Sequence, residues 1–208
     1  GTLIHDHSDP DPLVKGITTI DRIALVNLEG AGMIGVPGTA HRLFGALREE
    51  SISVILISQG SSEHSICFAV PEPEADRAER VVRRAFEPEL REGQIHSIEI
   101  DHGCSILAVV GDGMAGAHGV AAKVFTALGL AGVNVRAIAQ GASERNISVV
   151  IDGRGSARAL RAVHSAFYLS AHTVSIGLIG PGLVGGALLE QIASQMQRLA
   201  RDFKLDLR

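Results

Sequence analysis

The run Gly30-Ala31-Gly32-Met33-Ile34-Gly35-Val36-Pro37-Gly38 and the later Gln59-Gly60-Ser61-Ser62-Glu63 return as Gly111-Asp112-Gly113-Met114-Ala115-Gly116-Ala117-His118-Gly119 and Gln140-Gly141-Ala142-Ser143-Glu144, each position displaced by 81. The whole stretch 30–66 recurs without a gap as 111–147. Between the two runs Ala40, Leu43, Phe44 and Leu47 are matched by Ala121, Val124, Phe125 and Leu128. That is the i, i+3, i+4, i+7 stripe of a helix with one buried face. Two copies of one small unit predict two copies of one site. A duplicated scaffold explains the stripe and some of the glycines. A repeated Gln-Gly-x-Ser-Glu points instead to a repeated ligand pocket, with a purely structural turn as the alternative.

Outward from the repeat, the first copy reads as strand (23–28), glycine loop, helix (37–50), strand (52–58), turn, strand (65–70), helix (74–86) and strand (94–100), the order βαββαβ. Pro37 suits a first helical turn, where a missing N–H costs nothing. The second copy reads as strand (105–110), helix (117–130), strands (133–139 and 146–151) and helix (156–168). Its last strand is missing, because residues 173–179 run straight into another glycine loop. The strand candidate at 14–20 is therefore assigned to complete the second sheet, so that the units interlock. The expected fold class is α+β, with two ferredoxin-like βαββαβ units followed by the first β-α of a truncated Rossmann domain. The expected divisions are a connector over 1–12, the completing strand over 13–20, units over 21–101 and 102–171, and the truncated domain over 172–208.

Three segments match GxGxxG, at Gly30-Gly32-Gly35, Gly111-Gly113-Gly116 and Gly180-Gly182-Gly185. In the first two, only a few residues link the next strand to the one after it. Such a link makes an antiparallel hairpin, whereas a dinucleotide-binding unit needs a helical crossover to a parallel strand. Nor does either have an acid about 20 residues further on to hold a ribose hydroxyl. Their glycines are expected to let a ligand reach backbone N–H groups at a helix start, which favours a carboxylate. In the third segment Gly180, Gly182, Leu183, Val184 and Gly185 follow an apolar strand and lead into a helix, but the sequence given stops at Arg208 as a second strand begins. It reads as half of a nucleotide site.

Composition narrows the function classes. With 208 residues, 46% of them apolar, the chain has ample core. A net charge of −4 without a sustained basic run argues against nucleic-acid or anionic-membrane partners. No apolar segment approaches a membrane span and the start has no signal-peptide pattern, so a soluble, cytoplasmic protein is expected. Cys67 and Cys104 lack disulfide-framework or metal-ligand spacing, and Cys67 reads as core. His5 and His7 lie beside Asp6, Asp9 and Asp11 in a proline-interrupted segment that reads as a tail, so no metal is expected.

The tandem βαββαβ order resembles ACT domains, small amino-acid-sensing modules that pair their sheets side by side. The runs Ile57-Ser58-Gln59-Gly60-Ser61-Ser62-Glu63, Val109-Val110-Gly111-Asp112-Gly113-Met114, Ile138-Ala139-Gln140-Gly141-Ala142-Ser143-Glu144-Arg145 and residues 179–191 are similar to the linker region of bifunctional aspartokinase/homoserine dehydrogenases of the threonine-sensitive type. The resemblance covers nearly the whole chain. It implies that residues 1–4 end a kinase domain, that Thr173 opens a dehydrogenase domain, and that neither active site is present. The parent enzyme would use ATP with Mg and NAD(P), and this stretch no cofactor. The resemblance further implies L-threonine as feedback inhibitor, effector sites at Gln59 and Gln140, and a homodimer or higher homo-oligomer built through the ACT units.

Residue chemistry adds the rest of the expected effector sites. Backbone amides around Met33, Gly35 and Val36, and around Met114, Gly116 and Ala117, can take a carboxylate, and a carboxamide suits a ligand hydroxyl or ammonium. Asn134 would add an acceptor in the second copy, where the first has Ser53. Ile55 and Arg136 stand where a lysine-sensing relative would favour an acid, which weakens a lysine reading and leaves the ammonium without an assigned partner. Glu63 and Glu144 read as hairpin surface, Arg145 as a solvated charge, and Met33 and Met114 also suit packing against the helix. Two other readings stay open, a dimerisation module without an effector and a sensor of another amino acid such as lysine. An enzyme reading would require a complete nucleotide fold and a catalytic base.

Overall fold

Two long strands organise the molecule. The computed structural model describes residues 13–168, 173–174, 176–180, 182–203 and 206–207. β1 (Gly16–Glu29) joins the strands expected at 14–20 and 23–28, and β4 (Ser97–Val110) joins those expected at 94–100 and 105–110. Each continues because the chain bends without leaving the ladder. Arg22 and Gly103, 81 residues apart, both adopt left-handed φ, 60° and 64°, and the β1–β4 register shifts there as in a bulge.

The elements between them are α1 (Thr39–Glu49), β2 (Leu56–Gln59), β3 (Ser65–Pro71), α2 (Ala75–Ala85) and α3 (Glu87–Arg91). After β4 come α4 (Val120–Leu130), β5 (Val135–Gln140), β6 (Asn146–Asp152) and α5 (Ser156–Tyr168). The sheet order is β2-β3-β1-β4-β6-β5, with every neighbour antiparallel. Positions 16–20 of β1 pair with 106–110 of β4, and positions 25–29 with 97–101. β3 lies only against the later part of β1, and β6 only against the later part of β4. Each unit thus has four strands, one of them lent by the other unit's long strand. The interlocked pair of ferredoxin-like units is present, and β2–β3 and β5–β6 are the antiparallel hairpins that the short links require.

Helices cover one face of the sheet. Leu43, Leu47, Val82 and Phe86 meet Val26, Leu28 and Phe68 in the first unit; Val124, Leu128 and Val163 meet Leu107, Val109 and Val149 in the second. Val14, just before β1, belongs to the second core, where the Tyr168 hydroxyl donates to its carbonyl at 2.9 Å. On the other face a smaller cluster gathers Ile23, Leu25, Leu56, Ala69, Ile106 and Val150. Cys67 is half-buried there, on the helix-free side. The sheet curves around this cluster until its two edges meet. The Ser58 hydroxyl on β2 donates to the Ile138 carbonyl on β5 at 2.8 Å.

Several boundaries differ from the sequence reading. α1 and α4 start at Thr39 and Val120 because Gly38 and Gly119 take left-handed φ of 89° and 82°, so Pro37 and Ala117 precede their helices. β2 pairs only from Leu56, and the short α3, with Pro88 in its first turn, was not expected. The strand expected over 173–179 is reduced to β7 (Thr173–Val174), which pairs in parallel with β8 (Asp206–Leu207). The helix between them is α6 (Leu183–Phe203). No helix among the described residues is long and apolar enough to cross a membrane. The connector at 1–12, with its histidines and aspartates, lies outside the described residues.

Candidate functional site

The first two glycines of each repeat make room for the chain itself. Gly30 and Gly111 are extended, at φ 173° and −179°. A Cβ on Gly30 would lie 2.3 Å from the Gln94 carbonyl oxygen and 2.5 Å from the Ile95 Cα; one on Gly111 would lie 2.2 Å from the Leu13 carbonyl oxygen. Gln94–Ile95 and Leu13–Val14 are equivalent segments, each leading towards the strand that completes its unit. The close approach expected of a ligand is made here by backbone.

Beyond these glycines the loop amides turn inward. The Val36 N–H donates to the Met33 carbonyl and the Ala117 N–H to the Met114 carbonyl, at 3.2 and 3.0 Å. The Gly35 N–H donates to Glu63 Oε2 at 2.8 Å, and the Gly116 N–H to Glu144 Oε2 at 2.7 Å. Glu63 and Glu144, read from sequence as turn surface, therefore close the glycine loops of both copies. They do so from left-handed backbone, φ 55° and 56°, which is uncommon for a residue with a Cβ. A carboxylate does sit on the loop amide in each copy, and it is the chain's own. The available signal was the recurrence of Glu at the end of the motif where the middle residue, Ser61 or Ala142, differs.

A cavity of about 320 Å³ adjoins the first loop, lined by Met33, Gly35, Val36, Gly38, Thr39, Ala40, Gln59 and Glu63 among others. One wall is the start of α1, whose first N–H groups precede the first intrahelical bond, Arg42 N–H to the Gly38 carbonyl at 2.9 Å. Glu63 also lines the cavity, with its carboxylate on the Gly35 N–H. Met33 is also a core residue, 4% exposed, as is Met114 at 2%. The loops are braced from behind in both copies, with Arg42 over the Phe86 ring at 4.1 Å and Lys123 over Phe167 at 4.9 Å. Arg42 also pairs with Glu89 at 2.5 Å.

Gln59 and Gln140 are both exposed at the ends of the edge strands β2 and β5. Because those edges meet, both glutamines also line one larger opening of about 660 Å³, with Ile20, Ile55, Ile57 and Ile138. Ser53 and Asn134 are exposed in the segments before β2 and β5, and Ser53 is not part of the lining around Gln59 and Glu63. Arg136 points elsewhere, pairing with Asp101 of β4. Of the third glycine motif, Gly180 has φ 73° and Gly182 donates to its carbonyl at 2.8 Å. Leu183 and Val184 open α6 almost fully exposed, with Gly185 next, and residue 181 lies outside the described residues.

Comparison with known proteins agrees with this architecture. The ACT domain family matches residues 26–86 and 107–167, one match in each unit. The chain is 54% identical over 198 residues to the chloroplastic bifunctional aspartokinase/homoserine dehydrogenase 1 of Arabidopsis thaliana, covering 95% of this chain and 22% of that protein. It is 44% identical over 202 residues to the bifunctional aspartokinase/homoserine dehydrogenase of Haemophilus influenzae, covering 97% of this chain and 25% of that one. It thus spans about a quarter or less of the length of these relatives. Among solved structures, the regulatory subunit of aspartate kinase from Thermus flavus matches with a TM-score of 0.63 and 33% identity, over 74% of this chain and 98% of that subunit. The chain belongs to the ACT domain family, with one ACT unit in each half of its tandem.

Proposed function

We propose that each glycine loop is an effector site for L-threonine and that the chain transmits feedback inhibition to a parent enzyme with aspartokinase and homoserine dehydrogenase activities. The observation that carries this reading is the Glu-to-glycine contact repeated in both copies, beside a cavity in the first that the start of α1 also lines. In the first copy the ligand carboxylate would take the opening N–H groups of α1 at Thr39 and Ala40, and its ammonium the outer oxygen of Glu63. Its hydroxyl would then meet the Gln59 carboxamide. In the second copy Val120, Ala121, Glu144 and Gln140 hold the corresponding places. Glu63 and Glu144 supply the ammonium partner that neither Ile55 nor Arg136 offers.

Threonine should stabilise the protein, since a ligand bound only by the folded state adds RT ln(1 + [L]/Kd), about 2.7 kcal/mol at a hundredfold excess over Kd. Calorimetry and thermal melting with an amino-acid panel test this. Valine lacks the hydroxyl and should bind about 1–3 kcal/mol more weakly. No stabilisation by millimolar threonine would sink the sensor reading, and equal effects of valine and threonine would remove Gln59 and Gln140 from the role assigned.

We further infer association into a homodimer or higher homo-oligomer through the ACT units. The parallel β7–α6–β8 crossover fits the opening of a nucleotide-binding unit, with Gly180 and Gly182 at a helix start suited to a pyrophosphate. In the parent, NAD(P) would bind there and ATP with Mg at a separate kinase domain. This chain alone should bind neither NAD nor NADPH appreciably, and micromolar affinity in calorimetry would contradict that assignment.

A further inference from the structure

The cleft between the helix-free faces has two openings, which the 81-residue displacement exchanges. Leu25 in one corresponds to Ile106 in the other, Asn27 to Ala108, and Cys67 to Ser148. The correspondence breaks where charge is concerned. One opening has Ile20 and Ile55 where the other has Asp101 and Arg136. The charged opening also presents Glu99, whose counterpart is Thr18. Duplication alone would have left the two openings alike, so the charged one calls for its own explanation.

Its geometry suits a small ligand. The cavity is about 510 Å³, within the range of small-molecule sites, with Leu25, Ala137 and Ile138 as apolar lining and Asn27 and Ser65 as neutral polar groups. Asp101 comes from the first unit and Arg136 from the second, where a β-bulge between Val135 and Ala137 sets it off the ladder. Their ion pair spans the cleft with side chains 51% and 33% exposed, and pairs of that kind contribute little to stability, so exchanging partners with a ligand costs little. Glu99, two residues from Asp101 on β4, has no hydrogen-bond or ion-pair partner for its side chain among the described residues.

We propose that this opening is a second, unrepeated binding site for a neutral α-amino acid zwitterion, with the ammonium between Glu99 and Asp101 and the carboxylate on Arg136. Two carboxylates and one guanidinium match a ligand that has both charges on adjacent groups, and a guanidinium keeps donors to spare while it pairs with Asp101. The site does not depend on the glycine-loop pockets. A bound zwitterion would touch both units at once.

The experiment is a titration of the isotope-labelled chain with L-threonine, L-glutamine and L-alanine at millimolar concentration, following amide signals by NMR. Signals of Asn27, Ser65, Glu99 and Arg136 should shift with at least one of these amino acids, and not with its N-acetyl or carboxamide derivative. Asp101→Ile with Arg136→Ile, which installs the residues of the other opening, should abolish those shifts. Glu99→Thr, an exposed change that leaves the ion pair intact, should weaken them about tenfold or more in affinity. Shifts at Gly35 and Gly116 report the glycine loops separately, and should survive both variants. Equal shifts with an N-acetyl derivative, no cleft response to any of the three amino acids, or an unchanged response in the double variant would each overturn the proposal. Silence at Gly35 and Gly116 alongside a cleft response would overturn the glycine-loop reading instead.

Discussion

Val14→Ala should loosen the second unit and leave the first nearly intact, although Val14 precedes the first in sequence. Its side chain is 1% exposed in the second core, and its carbonyl holds the Tyr168 hydroxyl. Truncation removes two buried methyl groups at about 0.8 kcal/mol each and leaves a cavity beside them, for about 2–3 kcal/mol in all. Ile95, the equivalent residue of the first unit, is 2% exposed in the first core, and Ile95→Ala should cost about 2–5 kcal/mol there. Either loss is a large fraction of a typical folding free energy yet smaller than the whole, so the effect is best read locally. Native-state hydrogen exchange supplies that reading. Val14→Ala should speed exchange at Leu107, Val109, Ile147 and Val149 while Val26, Leu28 and Phe68 stay protected; Ile95→Ala should do the reverse. If Val14→Ala instead exposes residues 24–28 and 66–70 first, strand lending between the units is not what holds them together.

Other consequences can be checked singly. Glu63→Gln should weaken threonine binding in the first unit about tenfold or more, since a charged hydrogen bond is replaced by a neutral one, while stability falls by only about 1 kcal/mol; calorimetry and urea melts separate the two effects. Gly30→Ala and Gly111→Ala should each destabilise their own unit by about 1–3 kcal/mol or more, because the added methyl meets backbone and not a movable side chain; equal melting temperatures for variant and parent would refute this. Burial, with smaller contributions from Asp101 and Cys104, pushes the Cys67 thiol up from 9.0 to about 11. Its folded-state value is raised, so this contribution to stability is complete below about pH 9 and is lost as pH rises towards 11. Cys67→Ser should flatten the alkaline limb of a stability profile, and an unchanged limb would place the effect elsewhere.

The repeat was enough to show the number of units, the helix faces and the strand order, because periodicity and displacement are local properties of the sequence. The lending of 16–20 to the second sheet was legible too, from a count of strands. The bends at Arg22 and Gly103 were not. Nothing in Asp21-Arg22 marks a left-handed residue, and only its equivalence to Gly103 would have raised the idea. The role of Gly30 and Gly111 was hidden for a related reason, since the backbone that crowds them arrives from 64 residues after Gly30 in one case and from 98 residues before Gly111 in the other. Glu63 and Glu144 read as surface, and both are exposed; what that reading lacked was their contact with the glycine loops. Their reach back across 28 residues to Gly35 and Gly116 depends on the hairpin standing beside the loop. Meeting of β2 with β5, and hence the cleft itself, is a result of sheet curvature that residue pattern does not encode directly.

The reciprocal strands have a bearing on how such a chain could be taken apart. A cut in the connection between α3 and β4 would leave two pieces, one with β1, β2 and β3 and the other with β4, β5 and β6, each lacking a strand that only the other can supply. Neither piece is a self-sufficient fold, yet mixed together they contain every pairing of the intact sheet. The tandem is in effect a swapped dimer whose halves are tethered, and the tether keeps each missing strand at high local concentration. Lengthening or stiffening that connection would shift the exchange from within one molecule to between molecules, turning a closed pair into a chain of pairs.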